Sequence, residues 1–168
     1  MTLPLVSIET VPPGAIDDLL DRAFGPDRRT RTAYRLRAGT SPIADLSFAA
    51  LAETRLIGSI QCWPVRFVGD DGRLVPMVLM GPVAVEPSLQ RGGIGRELTR
   101  SALAAATRRG DKAIMLIGDP DYYGRFFGFT ADRTRQWRLP GPVEPHRLLA
   151  HGDAVPDGAG TIEPDCAA

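Results

Sequence analysis

The segment EPSLQRGGIGREL, Glu86 to Leu98, places three glycines within four positions, between an apolar run and a helical pattern. Glycine loses more backbone entropy on ordering than any other residue, so a cluster makes sense where the chain must bend sharply or let a ligand approach closely. At a strand-to-helix turn the first amides of the helix lack intrahelical partners and the positive dipole end favours an anion. The chemistry on offer is phosphate binding. A second set of reactive groups lies in GDPDYYGRFFGF, Gly118 to Phe129, where Tyr122 and Tyr123 are candidate proton donors.

Spacing separates three phosphate-binding motifs. A P-loop needs Lys-Ser or Lys-Thr after its last glycine, and here Gly95 is followed by Arg96-Glu97. A dinucleotide fingerprint starting at Gly93 needs Gly or Ala at position 98, which is Leu98. What remains is QxxGxG, filled by Gln90, Gly93 and Gly95.

The elements that must hold these groups follow from periodicity. Leu5 to Thr10 reads as a first strand, and Ile16, Leu19, Leu20 and Phe24 fall at helical spacing before Gly25-Pro26 stops the pattern. A second, basic helix is expected from Arg28 to Arg37, its charges forming a solvated face. Leu46 to Leu51, Arg55 to Val68 and Leu74 to Val85 read as an antiparallel meander, with Asp70-Asp71-Gly72 supplying a hairpin turn. After the glycines, Ile94, Leu98, Ala102 and Ala105 line one side of a helix that Gly110 ends. Lys112 to Ile117 reads as a buried strand, and a crossover helix of this length makes it parallel to the strand before the glycines. A short helix around Asp121 to Phe127 and a strand from about Phe129 come next, then strands at Trp137 to Leu139 and His146 to Leu149. From His151 onward the composition turns to Gly, Ala, Asp and Pro, and the expectation is one domain over 1–150 with an irregular extension over 151–168.

The totals narrow the class. A chain of 168 residues with 43% hydrophobic content can build one core without metal or disulfide support. Zero formal charge provides no global field to attract nucleic acid or an anionic membrane. Lys112 is the only lysine, a bias that coding composition explains as readily as recognition. Cys62 and Cys166 make neither a disulfide framework nor a zinc knuckle. With no secretion signal and no apolar stretch of spanning length, the expected location is cytoplasmic.

The motif QxxGxG within PVAVEPSLQRGGIGREL resembles the acetyl-coenzyme A loop of the Gcn5-related N-acetyltransferase (GNAT) superfamily, and the order of elements from Leu5 to Leu149 is similar to that family's. The resemblance implies an α/β (α+β) fold, with a central mixed, mostly antiparallel sheet, a splayed parallel strand pair and flanking helices. It implies acetyl-CoA as cosubstrate, with no metal. The loop amides of Arg91, Gly92, Gly93, Ile94, Gly95 and Arg96 would take the pyrophosphate, following Gln90. Pro82 can donate no ladder hydrogen bond, so the strand before the loop is expected to be interrupted there. By resemblance the pantetheine arm bonds to main-chain groups of Val83, Ala84 and Val85, with the thioester near Val83. GDPDYYGRFFGF is similar to the YhbS-like branch of predicted acetyltransferases, which also continues past the shared core with further strands.

Acetyl transfer to an amine needs an uncharged amine, a donor to polarise the carbonyl and an acid for the departing thiolate. Many superfamily members carry a tyrosine four residues before the Gly-Phe pair, where this chain has Gly124. Tyr123 stands one residue further back, as though Phe126-Phe127 were a one-residue insertion. Tyr123 is the candidate acid and Tyr122 its substitute; the alternative is that both rings simply pack the small helix. Glu86, Asp119 and Asp121 are near the strand ends and could draw a proton through water, whereas His146 and His151 have no recognised partner. The resulting function is amine acetylation of a small molecule or peptide, with no nucleic acid or membrane partner and a homodimer as an oligomeric option. A second function is a coenzyme-binding sensor that has lost turnover.

Overall fold

The computed structural model describes residues 3–168. Eight strands form one mixed sheet in the order β1-β2-β3-β4-β5-β7, with β8 pairing both β3 and β6. The strands are β1 (Leu5–Ser7), β2 (Phe48–Ala52), β3 (Arg55–Gly69), β4 (Leu74–Val85), β5 (Ile114–Ile117), β6 (Trp137–Arg138), β7 (Leu148–His151) and β8 (Gly160–Pro164). The helices are α1 (Pro13–Phe24), α2 (Thr32–Arg35), α3 (Ile94–Arg109) and α4 (Pro120–Phe127). By its contacts the chain divides into two compact units, residues 3–29, 42–62 and 81–109, and residues 30–41, 63–80 and 110–168. The long strands β3 and β4 contribute residues to each.

In the first unit, α1 turns Ile16, Leu19 and Leu20 inward onto Ile8, Val11, Ala49, Leu56 and Ala84. Each such aliphatic side chain stabilises the fold by about 1.5–3 kcal/mol when fully buried. Pro13 opens the helix, where a missing N–H costs nothing, and the Gly25 N–H closes it on Asp21 C=O. α3 buries Ile94, Leu98, Thr99, Ala102, Ala105 and Ala106, the stripe its spacing predicts.

In the second unit, Trp63, Val65 and Phe67 alternate from β3 into a core with Met77, Leu79, Met115, Trp137, Leu148 and Ile162. β4 runs parallel to β5 through Val78↔Ile114 and Leu79↔Met115, the direction the crossover helix requires. β7 pairs antiparallel on the other side of β5, from Ile114↔His151 to Ile117↔Leu148.

Several elements differ from the sequence expectations. β1 stops at Ser7, whose hydroxyl accepts the Glu9 N–H and caps a 3-10 turn over Ile8–Thr10. The meander's first strand begins at Phe48, after a 3-10 turn over Ala44–Leu46. The basic helix over Arg28 to Arg37 is instead a 3-10 turn, Pro26–Thr30, and the single turn α2, separated by Arg31 in an extended conformation. Tertiary bonds explain the break: the Thr32 hydroxyl donates to Pro142 C=O at 2.6 Å. Nor are its charges all solvated. Arg28 is buried, with Nε 2.8 Å from Asp21 and Nη2 3.3 Å from Asp17. The strand expected from Phe129 is a single bridge, Thr130↔Ala150. The strand expected over His146 to Leu149 begins at Leu148, because Pro145–Arg147 forms a 3-10 turn. Gly160–Pro164, within the segment expected to be irregular, pairs in register with Val65–Gly69 of β3.

Candidate active site

The first unit gathers the residues assigned to phosphate binding. β4 ends in Val83, Ala84 and Val85, after a cis Gly81–Pro82 peptide. A 3-10 turn over Pro87–Leu89 follows, and the Leu89 C=O accepts the Gly92 N–H at 3.1 Å. Gln90 to Gly93 are exposed, and Ile94, Gly95 and Arg96 form the first turn of α3. The Glu97 N–H donates to Gly93 C=O at 3.1 Å, so the amides just before Glu97 stand at the start of the helical ladder, where the dipole is positive. Gly93 has φ +81°, and a β-carbon there would meet no protein atom within 4 Å. The space over this turn is therefore open. The Gln90 side chain donates to Val85 C=O at 3.5 Å, turning back onto the strand. Gly95 lies against the side chains of Val83 and Val85.

Glu86, which the sequence leaves as a possible proton path, is buried and engaged elsewhere. Its Oε2 accepts from Arg22 Nε at 3.1 Å and Nη2 at 3.0 Å, and its Oε1 lies 3.7 Å from Arg55 Nη2. Periodicity carries no signal for this arrangement, because Arg22 belongs to α1 and Arg55 opens β3.

Tyr122 and Tyr123 belong to the second unit, on α4. Asp119 caps this helix, its Oδ1 accepting the Asp121 N–H at 3.0 Å. Gly128, left-handed at φ 75°, ends it, with the Gly128 and Phe129 amides donating to Gly124 and Tyr123 carbonyls. Asp119 is thus a cap, and Asp121 lies exposed in the first turn. The two tyrosine rings meet edge-on, with centroids 4.9 Å apart. Tyr123 is half-buried, with its ring near Phe127 and Phe129 and directly over Gly118. Burial pushes its phenol up to about 12, reinforced by Tyr122 and opposed by Arg147. His151 stacks on Phe129 and directs Nδ1 toward Gly128 C=O at 3.3 Å, while exposed His146 lies 3.4 Å from Glu144. Neither cysteine is in a disulfide, Cys62 being buried in β3 and Cys166 exposed beside Ala38. Among the described residues, no helix is long and apolar enough to cross a membrane.

The chain as a whole is similar to known proteins. The sequence profile of the acetyltransferase (GNAT) family matches residues 14–129. The uncharacterized N-acetyltransferase YhbS of Escherichia coli K12 is 32% identical over 162 residues, covering 94% of this chain and 93% of its own. The crystal structure of an E. coli GNAT family N-acetyltransferase (YhbS) in complex with CoA superposes with a TM-score of 0.73 at 24% identity, over 98% of this chain and 92% of that one. A GNAT family acetyltransferase from Brucella melitensis, in complex with acetyl-CoA, superposes with a TM-score of 0.70 at 24% identity, over 99% and 97% of the two chains. The match to the family over residues 14–129 and the 32% identity over nearly the whole of both chains show that the chain belongs to the GNAT family of N-acetyltransferases.

Proposed function

We propose that this protein transfers the acetyl group of acetyl-CoA to a primary amine of a small molecule or peptide, in one acetyltransferase domain over 1–150 with an extension over 151–168. The observation that carries the reading is the exposed turn Arg91–Gly93 running into α3, with open space over Gly93. Backbone amides of Arg91 and of Gly93 through Arg96 bind the pyrophosphate, while the Gly92 amide is held by Leu89 C=O, with glycines in place of side chains that would hold it off. Gln90 turns back onto Val85 and steadies the loop. Val83, Ala84 and Val85 offer main-chain groups to the pantetheine arm, as their place in the family implies. That two similar structures hold CoA and acetyl-CoA supports the same cosubstrate here. Cytoplasm is the compartment where this cosubstrate and a reduced Cys62 and Cys166 are both expected.

In the reaction the neutral amine attacks the thioester carbonyl, a C–N bond forms, and the C–S bond breaks as the thiolate departs. The amine loses one proton and the sulfur gains one. Tyr123 serves as the acid, with Tyr122 as its substitute. A phenol held near 12 stays protonated through the physiological range. The phenol passes its proton to the departing sulfur and regains the one the amine sheds; because a thiol titrates near ~8.5, the transfer is favourable only when coupled to that return. A second reading, a coenzyme-binding sensor without turnover, draws on the packing of the Tyr123 ring against Phe127, Phe129 and Gly118.

Calorimetric titration with acetyl-CoA, with ATP and NAD as controls, tests the reading. Selective binding at micromolar levels is the expected result; binding of ATP or NAD in its place defeats it. Thiol release on adding amines then separates the transferase from the sensor.

A further inference from the structure

The Arg22–Glu86–Arg55 cluster joins three elements at the point where the proposed coenzyme loop leaves β4. Glu86 is held on every side. Its N–H donates to Ile57 C=O at 2.8 Å, and its carboxylate takes two hydrogen bonds from Arg22 at the end of α1, with Arg55 beside the other oxygen. Its C=O accepts the Leu89 N–H at 2.8 Å, and the Leu89 C=O in turn accepts the Gly92 N–H at 3.1 Å. A series of hydrogen bonds therefore runs from the Arg22 guanidinium, through Glu86 and Leu89, to the first glycine of the turn, with Arg55 as a second, ion-pair partner of the carboxylate. The Glu86 side chain is only 11% exposed, so its hydrogen bonds are screened less than those of a surface pair. The same engagement leaves it poorly suited to draw a proton from an amine.

We propose that Glu86 is a positioning residue for the coenzyme: clamped by Arg22 and Arg55, it fixes the start of the glycine turn so that the loop amides are already aligned when the pyrophosphate arrives. This deepens the acetyl-CoA reading and rests on it. Two effects of the cluster have opposite signs, which makes the idea testable. Two guanidiniums against one carboxylate leave a net charge of +1 beside an anion site, and neutralising Glu86 would raise it to +2. A purely electrostatic role therefore predicts that Glu86→Gln binds coenzyme more tightly. A positioning role predicts weaker binding, because a neutral amide holds two arginines poorly.

The experiment measures acetyl-CoA affinity by calorimetry, together with KM and kcat for amine acetylation, in the wild type, Glu86→Gln, Arg22→Gln and the double variant. In Glu86→Gln the dissociation constant and the KM for acetyl-CoA should rise about tenfold, the equivalent of roughly 1.4 kcal/mol, with kcat at saturating acetyl-CoA unchanged. Arg22→Gln should shift affinity in the same direction, and the double variant should be no weaker than Glu86→Gln alone, since both changes open one clamp. Unchanged or tighter binding in Glu86→Gln overturns the proposal, as does a fall in kcat at constant KM, which would make Glu86 the base. Should Glu86→Gln fail to fold, half-exposed Arg22→Gln decides by the same criteria. A wild-type protein that binds no acetyl-CoA defeats the coenzyme reading and this inference together, whereas normal wild-type binding with unaltered variants defeats the inference alone.

Discussion

The ring of Tyr123 lies directly on Gly118: a β-carbon at Gly118 would stand 2.6 Å from Tyr123 Cε2 and 2.9 Å from Cδ2. Glycine at the end of β5 is therefore what allows the phenol its place on α4. Gly118→Ala should move the ring and lower kcat, while acetyl-CoA affinity, proposed to rest on the loop of the other unit, stays within about twofold. Parallel calorimetry and steady-state kinetics check this, and an unchanged kcat removes the ring's placement from the mechanism.

Tyr123→Phe keeps the ring and deletes the hydroxyl. If the phenol serves the departing thiolate, kcat should fall by about 10²-fold or more with coenzyme affinity preserved. Equal turnover would pass the role to Tyr122 or remove it from both.

Titration of Tyr123 also affects stability. Its folded-state pKa of about 12 lies above the ordinary 10, because burial disfavours the phenolate. The folded protein thus holds the proton more tightly than the unfolded chain does. This contribution is complete below pH 10 and is lost as pH climbs from 10 through about 12. The stability difference between wild type and Tyr123→Phe, followed by denaturant titration over that range, should drift against the wild type, and a flat difference refutes the shift.

At Gly93, substitution by Val meets open space but a left-handed backbone, φ +81°. The cost to folding should be only about 1–2 kcal/mol, seen as a modest fall in the unfolding midpoint. If the turn holds the pyrophosphate as proposed, coenzyme binding should disappear, because the new side chain occupies the open space over Gly93. Retained affinity would dissociate the turn from the ligand.

Arg28 offers a test of packing away from the site. Its guanidinium is buried, yet Asp17 and Asp21 are about half exposed, so screening reduces the worth of the pairs. Arg28→Ala should destabilise by about 1–2 kcal/mol, through lost packing as much as lost charge. Arg28→Lys should recover little, since one ammonium cannot span both carboxylates as the planar fork does. Chemical denaturation of the two variants measures both effects.

Elements with a strong local signal were legible in the chain. The hairpin of β3 and β4 follows from long apolar runs broken by Asp-Asp-Gly, and α3 from its buried stripe opposite arginines. The glycine turn into α3 was legible because glycine spacing directly reflects a backbone requirement. The Arg28 to Arg37 segment was not, because Thr32 bonds to Pro142, a partner over a hundred positions away in the chain. β8 was hidden for a related reason: Gly160–Pro164 has little apolar alternation, and its partner is the far half of β3. At the candidate site, the roles proposed for Val83, Gly93 and Tyr123 come from position in a motif, but the engagement of Glu86 depends on two arginines that only the fold brings to it.

The pairing of β8 with β3 bears on how the protein is made. Val65 to Gly69 emerge from the ribosome long before Gly160 to Pro164, their partners along that edge. Until those last residues appear, the outer half of β3, in the apolar stretch CWPVRFVG, has an unsatisfied backbone edge of the kind that recruits other chains. Slow synthesis between Gly69 and Gly160 therefore exposes a nascent chain to aggregation at a strand far in sequence from its missing partner, and protection during translation matters most in that interval.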